Sequence, residues 1–419
     1  MGSTLFAGAG AECDLGLSAG DNYTIDTFFT KKESLYRALK SFYQTRLPSA
    51  GDGARCPSAY AAQFLFTRDG IPFKRLLENI AQSHRAELES LTGVIFDDRS
   101  VVDLSSAELE KLFKELIVTN EESGRGQTIM PILASAVSDV HYGILETYFS
   151  SILNPSGHSG QFWKLINFYW SAFFCIALPL LGPWLDDRGV KRSGWYRYSL
   201  ENLAGSLSYI FSVEAIGKAT HAKESSYCRA LEGCFENVLT TNYTPFSTLF
   251  ARDDDNAIYL AGSLRTFENP ETLEVFDALE NPELLGQGAV FPFMMAQAPV
   301  KPIVSPYQMR EYSKALRVLD ETDTLCVLGY SFTQNDGRII SMIREYLLRE
   351  KPAGLIYFQH GDLDDYAADS DKMELACKLR LNYCEVVDKI EVVRTGRDEN
   401  CAHRVKDCLE QRGVISACR

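Results

Sequence analysis

The 419-residue sequence lacks the excess of basic residues that direct nucleic acid binding requires. Its 42 Lys and Arg residues are outnumbered by 56 Asp and Glu residues, which gives a formal net charge of −14 at pH 7. Contacts to phosphates depend on clustered Lys and Arg side chains that release counterions from the nucleic acid. The sequence therefore argues against direct nucleic acid binding, and we expect any nucleic acid to be reached through a partner.

The sequence also lacks the cysteine patterns of disulfide frameworks and of structural zinc sites. Its eleven cysteines are an odd number, and none belongs to a CxxC pair, the spacing that supplies thiolates to tetrahedral zinc. Cys377 and Cys384 lie seven residues apart, as do Cys401 and Cys408. This spacing is typical of one helix face, so we expect buried, reduced thiols rather than metal ligands.

One charge-free stretch, residues 165–185, is long enough to cross a bilayer. Pro179 and Pro183 interrupt it, and helical spacing continues into it from the preceding residues. Its many aromatic side chains predict a helix that is buried in the core or packs against another copy of the chain in a homo-oligomer. A membrane span is the alternative.

The first residues of the sequence are not expected to form a signal peptide, because Gly8 and Glu12 interrupt what would be its apolar region. Together with the expected reduced thiols, this indicates a cytoplasmic protein.

What the sequence does contain is an alternation of short apolar strands and helices. STLFA, residues 3–7, is typical of a buried strand that runs into a glycine turn. After residue 235, β-rich runs recur at 237–243, 257–263, 324–332, 354–360 and 389–396. RIISMIREYLLRE and AHRVKDCLEQRG are predicted helices among them.

Strands that alternate with helices favour a parallel sheet, whose ligands bind at the carboxyl ends of its strands. Signals between residues 32 and 235 are mostly helical. We therefore expect an α/β fold. A Rossmann-like parallel sheet is formed by residues 1–31 and 236–419, and residues 32–235 form a large helical insertion.

Small residues follow the first predicted strand. Gly8, Ala9 and Gly10 would let backbone N–H groups approach a pyrophosphate, although tight packing of the turn is an equal alternative. Cys13 stands where the dinucleotide fingerprint GxGxxG places its third glycine. This departure disfavours a hydride-transfer enzyme.

Polar and small residues also end the later strands, in TTNYTPF, YLAGS and GYSFTQND. Asn242 carries an amide that both donates and accepts, which suits a ribose hydroxyl or an attacking water. A turn-forming asparagine is the alternative. His360 ends another predicted strand on the ligand side.

In this order, the segments resemble the sirtuin-like superfamily of NAD-consuming enzymes. Residues 8–12 with 16–20 resemble the family's GAGxS…GIP motif, and residues 240–244 resemble its TxNxD motif. Residues 261–263 resemble its HGS motif, and residues 329–331 resemble its GTS or GYS motif. The YTIDTFF continuation and the helical insertion are most similar to the sirtuin-like NADases of bacterial anti-phage defence. These include a branch partnered with a HerA-type hexameric ATPase.

The resemblance implies that NAD is the substrate and is hydrolysed to ADP-ribose and nicotinamide without a metal. It also implies a role in anti-phage defence by depletion of NAD. The family's zinc module of two CxxC pairs is missing, so a protein acyl-lysine substrate is disfavoured. The NAD-binding residues that it implies are Gly8, Ala9, Gly10, Glu12, Asp26, Thr241, Asn242, Gly262, Ser263, Gly329, Ser331, Asn335 and His360.

Three positions depart from the family pattern. Glu12 replaces a serine, and we expect its carboxylate to turn toward ribose hydroxyls or a helix N-terminus. Thr244 replaces an aspartate that shapes the nicotinamide pocket. Ala261 replaces the histidine that serves as general base, so Asn242 can supply positioning but the catalytic base is missing.

Two accounts of Ala261 remain open. The chain is either a natural pseudoenzyme that binds NAD or a derivative as a signal, or a variant whose histidine was removed to silence a toxic enzyme. The second account is favoured because the neighbours Tyr259, Leu260, Gly262 and Ser263 keep the family's form.

Overall fold

Six parallel strands form the main sheet, and three antiparallel strands form a second one. The computed structural model describes residues 2–15, 34–35, 37–47, 181, 192–218, 226–270, 272–286, 289–295, 305–332, 336–351, 353–361, 363, 368–396 and 398–415. The strands are β1 (Gly2–Ala7), β2 (Asn237–Thr240), β3 (Ala257–Tyr259), β4 (Thr266–Asn269), β5 (Glu274–Asp277), β6 (Phe291–Pro292), β7 (Thr322–Leu328), β8 (Gly354–Gln359) and β9 (Ile390–Arg394). The helices are α1 (Arg192–Lys218), α2 (Tyr227–Ala230), α3 (Pro306–Glu321), α4 (Gly337–Leu348), α5 (Ala368–Lys378), α6 (Tyr383–Val386) and α7 (Cys401–Gln411).

The main sheet has the strand order β3-β2-β1-β7-β8-β9, and every pair in it is parallel. β1 lies in the middle, where Ala7 is level with Thr240 of β2 and with Leu328 of β7. The chain proceeds outward from β1 on both sides, so the strand order reverses between β1 and β7. Such a switch point opens a crevice at the carboxyl ends of the strands. The predicted α/β fold with a parallel sheet is confirmed.

Both faces of this sheet are covered, as the near-continuous apolar runs of its strands require. Successive side chains point to opposite faces. Phe6 therefore packs with helices α3, α4 and α5, and its neighbours Leu5 and Ala7 pack with α2 and α7. The two layers hold the strand ends of the carboxyl edge in fixed positions.

The smaller sheet has the order β5-β4-β6 and is antiparallel. The sequence patterns did not predict it, and they did not predict helix α3 or helix α5. Helix α3 begins where Ser305 accepts a hydrogen bond from the backbone N–H of Gln308 at 3.2 Å, with Pro306 in the first turn. This is a common helix start, so the sequence did contain a signal for this helix.

The structure corrects the expectation for one cysteine pair. Cys377 and Cys384 are both exposed. They do not share a helix, because α5 ends at Lys378 and Cys384 belongs to α6. Cys408 is buried, as expected, and Cys401 is partly buried on the same helix α7.

Most of the expected helical insertion lies outside the described residues, and so does most of the apolar run 165–185. Residues 37–46 are helical, α1 is helical, and Leu181 is helical and buried. Within the part of the chain that the structure describes, no helix has the length and apolar character needed to span a membrane. The domain boundaries stay predictions.

Candidate functional site

The turns after β1 and β7 are in direct backbone contact at the switch point. The N–H of Gly8 donates to the carbonyl oxygen of Leu328 at 2.9 Å, and the N–H of Gly10 donates to that of Gly329 at 2.8 Å. A Cβ on Gly8 would come within 2.5 Å of the Gly329 carbonyl oxygen, and a Cβ on Gly329 would overlap the nitrogen of Ala11. Gly329 also has a φ of +67°, which favours glycine. Only glycines allow this approach.

The glycine turn therefore has a packing role. The N–H groups of Gly8 and Gly10 already have carbonyl partners, and the N–H of Ala11 donates to Gly8 at 3.0 Å. These three groups are not available as donors to a pyrophosphate in this arrangement. The predicted contact of residues 8–10 with NAD stays a prediction, and it would depend on other atoms of the turn.

Glu12 lies in the 3-10 helix Ala9–Leu15 and is only 3% exposed. Its Oε1 accepts hydrogen bonds from Asn242 Nδ2 at 2.8 Å and from Ser247 Oγ at 2.9 Å. Its Oε2 accepts one from the Thr244 hydroxyl. Glu12 thus turns inward, to the start of the 3-10 helix Pro245–Phe250, and not outward to a ligand.

Burial raises the pKa of the Glu12 carboxyl above its usual 4.5. The hydrogen bonds from Thr244, Asn242 and Ser247 act in the opposite direction, and the nearby charge of Asp14 adds a small increase. Burial also raises the pKa of Asp14, which accepts a hydrogen bond from the backbone N–H of Tyr227. Two acids of one short helix are thus partly desolvated.

Asn242 is held from both of its ends. Its backbone N–H donates to Thr240 Oγ1 at 3.0 Å, and Thr240 in turn donates to the carbonyl oxygen of Ala7 at 2.9 Å. Its side-chain Nδ2 donates to the carbonyl oxygen of Gly8 at 3.1 Å as well as to Glu12. The ends of β1 and β2 are therefore joined through this side chain.

The turn after β3 is shaped by the segment that follows β6. The carbonyl oxygen of Ala261 accepts from the N–H of Met295 at 2.8 Å. Gly262 has a φ of +81°, and a Cβ there would overlap the carbonyl oxygen of Phe293. Ser263 is buried, and its hydroxyl lies 3.0 Å from that of Thr266 and accepts from the N–H of Arg265 at 3.2 Å. The Ser263 hydroxyl therefore stabilises the turn.

Ala261 lines a small pocket, called here the Ala261 pocket, with about 260 Å³ of empty space including the part open to solvent. The other residues that line it are Thr241, Leu260, Met295, Tyr312, Asp336, Arg338 and Ile339. The pocket thus lies between the ends of β2 and β3 and the helices α3 and α4.

The charged wall of the Ala261 pocket is formed at the start of α4. The Arg338 guanidinium lies 5.3 Å from the ring centre of Tyr312, and burial lowers the pKa of Arg338. Its Nη1 is buried without a hydrogen-bond partner among the described residues. Burial, together with the negative charge of Asp336, raises the pKa of Tyr330.

The remaining residues predicted to bind NAD are not all close to Asn242 and the Ala261 pocket. Thr241 lines the Ala261 pocket. Ser331 and His360 are exposed. His360 follows β8, which lies one strand beyond β7 in the main sheet. Asp26 and Asn335 lie outside the described residues. Among the described residues, no cluster of three His, Cys, Asp or Glu side chains is arranged to hold a metal ion.

Sequence reasoning missed the residues that support the site from within. Ser247 donates to Glu12, and Tyr312 and Arg338 line the Ala261 pocket. For Arg338 there was a signal, because the charged residues Asp336 and Arg338 come shortly after the GYSF strand end, at the start of the next predicted helix. For Ser247 and Tyr312 no local pattern distinguishes them from ordinary core residues.

Among solved structures, the chain has a low similarity to several Sir2 structures. A structure concerned with the mechanism and regulation of Sir2 enzymes has 14% identity and a TM-score of 0.29, over 49% of this chain and 75% of that one. A Sir2 complex with an inhibitor, 2′-O-acetyl-ADP-ribose and a deacetylated p53 peptide has 9% identity and a TM-score of 0.30, over 99% and 94%. A Sir2 variant with a deacetylated p53 peptide and 3′-O-acetyl-ADP-ribose has 13% identity and a TM-score of 0.25, over 45% and 69%.

No protein-family model matches the sequence. No curated protein matches it either.

Proposed function

We propose that the protein binds NAD at the carboxyl edge of the main sheet, with the nicotinamide ribose beside Asn242 and the Ala261 pocket. The observation that carries this proposal is the meeting of four turns, those that follow β1, β2, β3 and β7, at the point where the strand order reverses. Ligands of open parallel sheets bind in such crevices.

The proposed chemistry is hydrolysis of NAD to ADP-ribose and nicotinamide. The bond between C1′ of the ribose and the nicotinamide nitrogen breaks, and its electron pair leaves with the neutral nicotinamide. Water forms the new C1′–O bond and releases a proton. The transition state resembles an oxocarbenium ion, so the site must position an oxygen and accept a proton.

Position 261 decides whether the chain can do this chemistry. An alanine cannot accept a proton, and Ala261 lines the pocket beside the residue that precedes Asn242. We propose that the chain as it stands binds NAD but hydrolyses it very slowly. The same observation favours the second candidate function, a catalytically silent NAD or ADP-ribose sensor or scaffold subunit.

The test is Ala261→His, followed by Asn242→Ala in that background. A general base typically contributes about a hundred- to ten-thousand-fold, so nicotinamide release should rise by about that factor in Ala261→His and be lost again with Asn242→Ala. Calorimetry should show NAD binding by the unmodified chain.

Ala261→Asn is the matched control, because it adds a polar side chain of similar reach without a base near neutral pH. Equal turnover by the unmodified chain and Ala261→His would mean that the base lies elsewhere. NAD binding with no turnover in Ala261→His would favour the sensor. No binding of NAD or ADP-ribose at millimolar ligand would end both proposals.

We further propose that the protein acts in the bacterial cytoplasm in anti-phage defence, as a homo-oligomer in complex with a HerA-type ATPase. An NADase must be held inactive until it is needed, and a partner that favours one state can provide this control. The net charge of −14 makes the chain a poor sensor of phage DNA, which leaves DNA sensing to the partner.

Co-expression with such an ATPase tests the complex, and size exclusion with light scattering gives the masses. We expect co-elution, an assembly well above the chain mass of 46.9 kDa, and faster NAD turnover by Ala261→His when the ATPase is present. Separate elution, with turnover unaffected by ATPase, ATP or DNA ends, would contradict the partner and leave the NADase proposal standing.

A further inference from the structure

The side-chain amide of Asn242 carries a nitrogen, Nδ2, and an oxygen, Oδ1. The atoms around Nδ2 determine which of the two points into the protein. Nδ2 lies 3.1 Å from the carbonyl oxygen of Gly8 and 2.8 Å from Glu12 Oε1. The Gly8 oxygen accepts hydrogen bonds only. A flipped amide would place Oδ1 against that oxygen, two acceptors at hydrogen-bond distance in a buried position, which is costly. The orientation with Nδ2 inward therefore follows from the acceptors.

Glu12 contributes the shorter of these two bonds and is itself fixed. It is 3% exposed and is bonded by Ser247 through Oε1 and by Thr244 through Oε2, and both partners are buried. Because the carboxylate is held by two further donors, it cannot swing away from Asn242 without losing them. Its partners are all on the segment that follows β2, whereas Glu12 follows β1.

Nδ2 also lies 3.4 Å from Ser247 Oγ, so its two hydrogens are directed at Gly8, Glu12 and Ser247. Oδ1 is then the polar atom of the Asn242 side chain that remains for a ligand. Among the described residues, no hydrogen bond to Oδ1 is formed. An amide oxygen accepts hydrogen bonds and carries partial negative charge. It suits a hydroxyl or water as donor, and it suits a ribosyl centre that becomes positive in the transition state.

We infer that Glu12 is a positioning residue, which holds the Asn242 amide with its nitrogen inward so that its oxygen is presented to a hydroxyl or water of the ligand. The catalytic consequence rests on the proposed function, whereas the orientation itself does not. Glu12 acts through Asn242 and does not touch the ligand. The raised pKa of its buried carboxyl is consistent with this internal position.

The first test is an NMR pH titration of the unmodified chain, and variants serve only to assign the signals and as a control. The Asn242 side-chain amide protons, identified by their loss in Asn242→Asp, should shift with pH together with the carboxyl carbon of Glu12. The charge of Asp14 also influences the pKa of Glu12, whereas the hydrogen-bond partners of Glu12, which are Thr244, Ser247 and Asn242, are uncharged. The coupling should persist in Asp14→Asn. Asn242 protons that do not follow the Glu12 carbon would overturn the inference.

The second test uses kinetics in the Ala261→His background. Glu12→Met keeps an unbranched side chain but removes the carboxylate, so kcat should fall about tenfold, the size of one net hydrogen bond, with a smaller change in KM for NAD. Glu12→Gln retains an acceptor and should recover most of the loss. Asp14→Asn, on the same short helix, should leave kcat close to that of the parent.

These outcomes separate the two proposals. If Ala261→His releases no nicotinamide, the proposed hydrolysis fails, and the NMR titration still decides the role of Glu12. If Ala261→His is active and Glu12→Met leaves kcat unchanged, the positioning role fails while hydrolysis stands. If Glu12→Met does not fold, the NMR titration of the unmodified chain gives the decision.

Discussion

At the scale of single residues, Gly329 has the most constrained backbone of the site. Its φ is +67°, and an added Cβ would overlap the nitrogen of Ala11. Gly413 has almost the same φ, +66°, but an added Cβ would meet nothing within 4 Å. The two glycines therefore separate the cost of a left-handed backbone from the cost of a steric clash.

We expect Gly413→Ala to lower the free energy of unfolding by about 1–2 kcal/mol, the cost of a left-handed conformation. Gly329→Ala should cost roughly 1–3 kcal/mol more, as overpacking does. Urea denaturation of both variants measures the difference. Equal losses would show that the turns after β1 and β7 can separate freely, and their contact would then not define the crevice.

The sequence could predict which residues lie at the strand ends, but not what their side chains bond. Asn242 and Glu12 were both singled out, yet their bond joins residues 230 positions apart. Such a contact depends on which strands become neighbours, and local patterns contain no information on that. The same holds for Gly8, where the sequence leaves ligand approach and tight packing as equal alternatives, because only the strand order shows that this turn packs against Gly329.

At the scale of elements, strands that lie within apolar runs could be predicted from the sequence, and strands of mixed composition could not. All six strands of the main sheet fall within or beside predicted runs, because buried parallel strands are almost continuously apolar. β4 (TFEN) and β5 (EVFD) have four residues each, and neither contains a long apolar run or a regular alternation of polar and apolar side chains that would distinguish it from a loop. Helix α3, which brings Tyr312 to the Ala261 pocket, was signalled only by its Ser-Pro start.

At the scale of the whole molecule, buried acids couple stability to pH. The pKa of Glu12 is raised above 4.5, mainly by burial, so the folded state holds this proton more tightly than the unfolded chain does. The stabilisation is complete below the unfolded-state pKa and is lost as pH rises through the folded-state pKa.

Glu12→Gln should therefore become more stable relative to the unmodified chain as pH rises from 4.5. Thermal or urea unfolding over a pH series measures this difference. Glu283→Gln, at an exposed position of the 3-10 helix Pro282–Gly286, controls for the loss of one glutamate. A stability difference between Glu12→Gln and the unmodified chain that does not change with pH would contradict the assignment.

The central position of β1 has a consequence for biosynthesis. Its two neighbours are β2, which starts at Asn237, and β7, which starts at Thr322. At roughly 5–20 residues per second, a ribosome needs about 10–50 s to proceed from β1 to β2. During that time an apolar strand with both edges unpaired is exposed on the nascent chain, where strand edges promote aggregation. The protein should therefore depend on chaperones that bind nascent chains, and its yield should fall when translation is slowed between these two strands.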